Sequence, residues 1–368
     1  MAEPFKEWIN TDAITRLAGA LSAARPDWSP APFVAAATDG LGALELKDRV
    51  RHVAAALRAR LAPAYPDALR HILDSLGPPL SSTEGVTEAF EVWPLCQFVE
   101  AYGLEHPALS LDAIHALTRR FSCEFAVRPY LLRHPEATLA RLTAWTRDPD
   151  VHVRRLVSEG ARPRLPWGVR LQPFVLDPTP VLPLLEALKD DPELYVRRSV
   201  ANNLNDIAKD HPALVVSTAE RWSEGASPER QKLVRHALRT LIKQGDPGAL
   251  AVLGYGPPQV TLEAFAVDTP AVAMGGALTF SVRLRSTASG PQRLLLDYAV
   301  HHKKKNGTLT PKVFKWTTRE LGPGEALELS RRHPIRPITT RKYYAGEQRV
   351  ELLVNGASLG ILPFALTV

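Results

Sequence analysis

Through residues 44–57 the apolar positions Leu46, Val50, Val53, Ala54 and Leu57 recur three and four apart, with Lys47, Asp48, Arg49 and Arg51 between them. That spacing puts a single apolar stripe on a helix. Similar segments run to about residue 256, with prolines at their starts more than in their interiors. The His-Pro steps at His106, His134 and His211 each open a fresh segment, since Pro is tolerated in a first helical turn and breaks an interior one. Many short helices joined by tight turns are expected. At Gly254-Tyr255-Gly256-Pro257-Pro258 the pattern changes, and beyond it apolar and polar residues alternate. Strands are predicted at 259–267, 278–285, 293–301, 312–319, 327–331, 348–354 and 360–368. Short strands with turns at this density predict an immunoglobulin-like sandwich. Asn306-Gly307 is a two-residue hairpin signal directly after His301-His302-Lys303-Lys304-Lys305, so a basic tip is expected there.

In the helical region a ten-residue phrase occurs twice. Asp148-Pro149-Asp150-Val151-His152-Val153-Arg154-Arg155-Leu156-Val157 returns as Asp191-Pro192-Glu193-Leu194-Tyr195-Val196-Arg197-Arg198-Ser199-Val200, offset by 43 residues. That offset lies in the roughly 40–47-residue period of HEAT-type helical repeats. Each Asp-Pro reads as a helix start, Asp capping and Pro in the first turn. A weaker copy aligns Arg119-Arg120-Phe121-Ser122-Cys123-Glu124 with Arg154 to Glu159, and Val234-Arg235-His236 suggests a fourth. The expected architecture is mainly α: a HEAT-like helical solenoid over 1–256, then a small all-β immunoglobulin-like sandwich over 259–368. Stacked units would align the Arg pairs into a positive column suited to a phosphate backbone.

Composition narrows the setting. The chain of 368 residues is 45% hydrophobic and has two cysteines, Cys96 and Cys123, too few for a disulfide framework. The N-terminal residues carry acids where a secretion signal needs bases, and no apolar run approaches membrane-spanning length. A soluble, cytoplasmic, nucleoid-associated protein of bacterial type is expected. Residues 259–368 hold 15 Lys and Arg against 8 Asp and Glu, whereas the preceding residues hold 30 against 31. The C-terminal region is a basic module, and charge asymmetry of this kind suggests a polyanionic partner. No metal-binding Cys/His spacing, nucleotide-binding glycine loop or nucleophile elbow occurs.

Candidate chemistry follows from which acids share a face with the arginines. Arg120 and Glu124 are four apart, as are Arg155 and Glu159, and Arg198 is followed by Asn202 and Asp206 at four and eight. Such pairs can be surface ion pairs that mildly stabilise helices. Glu124 and Glu159, however, occupy equivalent repeat positions, and Asp206 lies one turn beyond the third. Carboxylates on a DNA-binding face oppose phosphate, so their retention fits a cationic target: a base alkylated on a ring nitrogen, or the sugar as its glycosidic bond breaks. The loop Arg162-Pro163-Arg164-Leu165-Pro166-Trp167-Gly168-Val169-Arg170 is stiffened by two prolines. Its Trp167 either packs between repeats or faces the sugar or base. Arg154, Arg155, Arg162, Arg164 and Arg198 are candidate phosphate contacts, with Lys303, Lys304 and Lys305 in the basic module. Lys312, Lys315, Arg341 and Lys342 extend that module, although lysines also blunt sheet edges. A non-catalytic DNA-damage binder and a protein-interaction scaffold remain as alternatives.

Three phrases resemble the AlkC branch of the AlkC/AlkD DNA glycosylases: Trp93 to Gly103, Arg120 to Tyr130, and His152 to Trp167. Arg235 to Lys243 is similar to that family's closing repeat, and a subgroup with an appended immunoglobulin-like domain matches the alternating C-terminal region. The resemblance implies HEAT-like repeats and cofactor-free excision of cationic methylated bases, notably 3-methyladenine and 3-methylcytosine. It implies double-stranded DNA as partner and no membrane association. By motif the active-site carboxylates fall on Glu124, Glu159 and Asp206. Glu159 and Asp206 are expected to stabilise the sugar cation and orient water, with Glu124 supporting them. Lyase activity is not expected, since no lysine nucleophile is needed. The basic sandwich is expected to close on the duplex from the other side of a monomeric enzyme.

Overall fold

The computed structural model describes residues 4–83, 86–339 and 341–368, and the side chains of 86–88 are not described. Their contacts divide the chain into two compact units, Met1–Asp210 with Ser227–Ala237, and His211–Ala226 with Leu238–Val368. The change from helix to strand falls between Val252 and Val260. The helices Pro212–Ser223, Arg239–Gln244 and Pro247–Val252 nevertheless group with the strands.

In the first unit the expected helix near 44–57 is Leu46–Arg60, and its stripe Val50, Val53, Ala54 and Leu57 is buried. All three His-Pro steps start helices, with His106, His134 and His211 at the N-cap. The repeated phrase gives the helices Val151–Gly160 and Leu194–Ile207, which pack against each other. Val153, Leu156 and Val157 are buried on one, and Val196, Val200 and Leu204 on the other. Their starts differ from the sequence expectation. Asp150 and Glu193 are the N-caps. Asp148 and Asp191 lie two residues earlier, where each Oδ1 accepts the backbone N–H of Asp150 or Glu193. The prolines therefore shape a turn before the helix and do not sit inside its first turn. Gly160 ends the first of these helices where a Cβ would stand 2.5 Å from Cγ1 of Val127.

The second unit holds a three-stranded sheet, order β1-β3-β6, and a five-stranded sheet, order β2-β8-β7-β4-β5. The strands are β1 (Val260–Val267), β2 (Ala271–Ala273), β3 (Ala277–Ser286), β4 (Gln292–Lys303), β5 (Leu309–Leu321), β6 (Ala326–Pro334), β7 (Gly346–Val354) and β8 (Ala357–Thr367). All seven predicted strands are present. The short β2, which pairs parallel with β8, is an addition. Leu278, Phe280, Val282 and Leu284 of β3 face Leu294, Leu296, Tyr298 and Val300 of β4 across a buried core. The β4–β5 turn is not the expected two-residue type. Asn306 keeps an ordinary φ, Gly307 takes φ 82°, and Gly307 N–H donates to the Lys304 carbonyl. The two-residue turn with both φ values positive is Asn355-Gly356, between β7 and β8. There Asn355 also donates to the Gly256 and Arg293 carbonyls.

Candidate active site

On the Val151–Gly160 helix the apolar stripe turns Arg155 and Glu159 toward the Leu194–Ile207 helix. That partner presents Tyr195, Ser199, Asn203 and Asp206 at intervals of four, four and three, one continuous face. Tyr195 lies under the Arg155 guanidinium, 4.8 Å from ring centroid to Cζ. Ser199 Oγ donates to Glu159 Oε2 at 2.6 Å, and Asn203 Nδ2 to the Ser158 carbonyl at 2.8 Å. The three sequence-chosen acids are brought into one alternating network. Arg155 Nη1 donates to Glu124 Oε2 at 3.0 Å, and its Nη2 lies 3.7 Å from Glu159 Oε1. Arg162 links Glu159 (2.7 Å) to Asp206 (2.8 Å), and Lys209 closes on Asp206 Oδ1 at 2.9 Å.

Glu124 reaches this network by a route that helical spacing does not predict. The helix Pro107–Thr118 ends before Arg120, and Glu124 lies in the turn that follows. Arg120 donates to the Gly77 and Ala116 carbonyls, so it is not the helical neighbour of Glu124. Arg155, from the next repeat, is the partner. Arg198 likewise does not meet Asp206; it is exposed and unpaired among the described residues.

Burial and charge set the character of each acid. Glu159 is 5% exposed and Asp206 2%. Burial alone would raise the Glu159 pKa, but Arg155, Arg162 and the Ser199 hydroxyl hold it below the usual carboxylate range. Burial likewise opposes charge on Arg155, yet Glu124 and Glu159 outweigh it and raise its pKa. The acids are therefore fixed and already countered by bases, where the sequence suggests carboxylates awaiting a cation. Glu124 differs: its side chain is 18% exposed, and Oε1 has no hydrogen-bond partner among the described residues.

The expected Arg column is redistributed for the same reason. Arg154 is bound to Asp191 and to the Asp148 and Pro149 carbonyls, which commits four of its five N–H groups. Arg155 and Arg162 are bound within the network, and Arg164 makes a two-point pair with Asp210. Arg198 remains available, lining a groove of about 270 Å³ with Arg197, Lys232 and His236. In the sandwich Lys304 and Lys305 are exposed, while Lys303 Nζ donates to the Ala345 carbonyl at 3.3 Å.

Trp167 does not pack between repeats: it is 64% exposed, with a left-handed φ of 62°. For a bulky residue that conformation costs on the order of 1–3 kcal/mol and persists only where the surroundings impose it. They do. Lys47 Nζ donates to the Trp167 carbonyl at 2.7 Å. Arg128, 1% exposed, donates to the Gly160, Arg162 and Val169 carbonyls. No carboxylate touches Arg128 among the described residues, and burial, reinforced by nearby Arg162, lowers its pKa to about 10. Sequence reasoning gives Arg128 no role and misses Lys47, Tyr195, Ser199 and Lys209. Ser199, four after Tyr195 and seven before Asp206, was findable by helical spacing; Arg128 and Lys47 were not.

Comparison with known proteins fits this geometry. The family described as "Uncharacterised protein YhaZ, C-terminal Ig-like domain" matches residues 261–368. The uncharacterised protein YhaZ of Bacillus subtilis is 37% identical over 361 residues, 98% of either chain. The Pseudomonas fluorescens alkylpurine DNA glycosylase AlkC, solved bound to DNA containing an abasic-site analogue, is 38% identical and superposes with a TM-score of 0.88 over 100% of both chains. The chain belongs to the AlkC-type alkylpurine DNA glycosylase family, in the group that carries a C-terminal immunoglobulin-like domain.

Proposed function

We propose that the chain is a monofunctional DNA N-glycosylase that hydrolyses the bond between deoxyribose and a cationic alkylated base, 3-methyladenine or 3-methylcytosine. The observation that carries this reading is the buried network Glu124–Arg155–Glu159–Arg162–Asp206 in a chain 38% identical to AlkC. A cationic base is already a good leaving group, so catalysis needs a negative field beside the developing oxocarbenium ion and an oriented water. Glu159 and Asp206, held in place by fixed donors, supply the field without reorganising. Glu124, with its uncommitted Oε1, is the acid placed to take a proton from water. Lys209, whose side chain is 41% exposed, is the cation a phosphate would draw off most readily, which uncovers Asp206. Hydrolysis of a cationic base needs no lysine nucleophile, so strand cleavage is not expected.

In this reading Trp167 contacts the damaged nucleoside while Arg198, Lys304 and Lys305 contact phosphates. The helical repeats act as a HEAT-like solenoid, and the enzyme works as a monomer on double-stranded DNA inside the cell. No helix among the described residues is long and apolar enough to cross a membrane. No cofactor enters the chemistry proposed. Release of free methylated base from dimethyl-sulfate-treated duplex is the test. Wild-type protein should release it. Glu159→Gln and Asp206→Asn should each lose on the order of a hundredfold or more, the scale of a removed electrostatic stabiliser. Full activity in both variants would refute the assigned roles.

A further inference from the structure

In a sandwich the inward positions of each strand are normally apolar, because the two inner faces make the core. At one side of this sandwich they are basic. The edge strands β5 and β6 touch there. Lys312 of β5 pairs with inward-facing Val300, and Arg331 and His333 of β6 pair with inward-facing Phe280 and Leu278. His302, in phase with Tyr298 and Val300 on β4, is 7% exposed, and Arg341 follows β6. None of these five bases is ion-paired among the described residues; the sandwich's ion pairs lie elsewhere.

Aromatic rings take the place of carboxylates. Lys312 lies 5.3 Å from the Phe314 centroid, Arg331 5.6 Å from Tyr298, and Arg341 5.8 Å from Tyr343. His333 Nδ1 is 2.9 Å from the Tyr298 hydroxyl. The Nε of Arg331 is buried without a hydrogen-bond partner, and the buried His302 ring has only the Gln348 amide within reach, with no well-formed hydrogen bond. Burial and then the neighbouring cations push both histidines down to about 4, so the cluster's positive field is uncancelled. One inward lysine suffices to keep sheet edges from pairing. Five bases, two of them with buried nitrogens that make no hydrogen bond, exceed that need, and leaving those nitrogens unpaired costs free energy.

We propose that this cluster is a binding site for one phosphate group of a nucleic-acid backbone, held by Lys312, Arg331 and Arg341 with His302 and His333 behind it. The proposal rests on DNA binding by the function proposed above and is independent of base excision. It also sets a pH dependence. The charged and titratable groups facing the two histidines are Lys312, Arg331, Arg341, Tyr298 and Tyr343, with the amide of Gln348, and none is a carboxylate. A phosphate beside them raises their proton affinity above the free value of about 4, so binding takes up protons and tightens as pH falls from the neutral range toward that value.

The test is binding of the full chain to an undamaged duplex oligonucleotide, with affinity followed against salt and pH. Arg331→Gln should weaken binding roughly tenfold, lower the salt slope by about one and flatten the pH dependence. Arg331→Lys should restore the slope. Arg349→Gln, an exposed base paired with Glu347, should change none of these. If Arg331→Gln fails to fold, as circular dichroism would show, Arg341→Gln at a half-exposed position replaces it. Unchanged affinity and salt slope in the Gln variant would overturn the site. Inorganic phosphate is the second probe, at constant ionic strength: stabilisation of the wild type alone supports the site, and equal stabilisation of wild type and variant counts against it. Normal slopes in a protein that releases no methylated base would leave the site standing and remove the glycosylase reading instead.

Discussion

Glu159 has a donor on each carboxylate oxygen: Arg162 on Oε1, with Arg155 near, and Ser199 on Oε2. Held below the usual carboxylate range, it adds stability above its unfolded pKa and loses it as pH falls through its lower folded value. Thermal midpoints of wild type and Glu159→Gln should therefore differ by a constant amount from pH 8 down to about 5, then converge near pH 4 and below. A gap unchanged at acid pH would contradict the pairing. The cost of that substitution at neutral pH should approach the roughly 3–5 kcal/mol of a broken buried pair. It is moderated because Arg155 keeps Glu124 and Arg162 keeps Asp206. At this scale the acids were legible and their partners were not. Repeat alignment marks Glu124, Glu159 and Asp206 as equivalent or nearly so. The i, i+4 rule, however, sees only one helix, whereas Arg155 reaches back 31 residues to Glu124 and Arg162 reaches forward 44 to Asp206.

The loop that carries Trp167 shows how an element is set from outside itself. Two prolines make it stiff, but its shape is imposed by Arg128 and Lys47, which donate to its carbonyls. Arg128→Lys keeps the charge and loses the fork of donors. Hydrogen exchange of the 163–170 amides should speed up clearly in that variant while the Leu46–Arg60 helix stays protected. Unchanged exchange would assign the loop's order to the prolines alone. Gly160→Ala tests the helix end beneath it, since the new Cβ would meet Val127 at 2.5 Å. A loss of about 1–3 kcal/mol is expected from denaturant unfolding, as for overpacked sites. Element types were well predicted because period 3.6 and period 2 separate cleanly on either side of residues 254–258. Turn chemistry was less legible. Asn-Gly occurs twice, and nothing local shows that Asn355-Gly356 forms the tight two-residue turn while Asn306-Gly307 closes a longer one.

At the scale of the whole molecule, the change of secondary structure and the grouping of contacts fall in different places. Pro212–Ser223 and residues 238–252 belong to the unit that contains the strands. Within that unit Leu250, Tyr255 and Leu295 form one buried cluster, and Asn355 holds the Gly256 carbonyl at 2.7 Å. A chain cut after residue 256 should therefore melt well below the full chain and lose protection over 238–252 first. Independent melting at the full-chain temperature would show that those helices need no strands. No local signal in residues 212–252 reveals this, because their apolar stripes read alike whichever surface they cover.

The central claim is electrostatic: fixed carboxylates are proposed to make the site selective for a base that carries positive charge. The most direct measurement is single-turnover release from matched duplexes, one with cationic 3-methyladenine and one with neutral hypoxanthine at the same position. Release of 3-methyladenine, lost in Asp206→Asn, with no detectable release of hypoxanthine, is the predicted result. Comparable release of both bases, or retention of the cationic one by wild-type protein, would contradict the account.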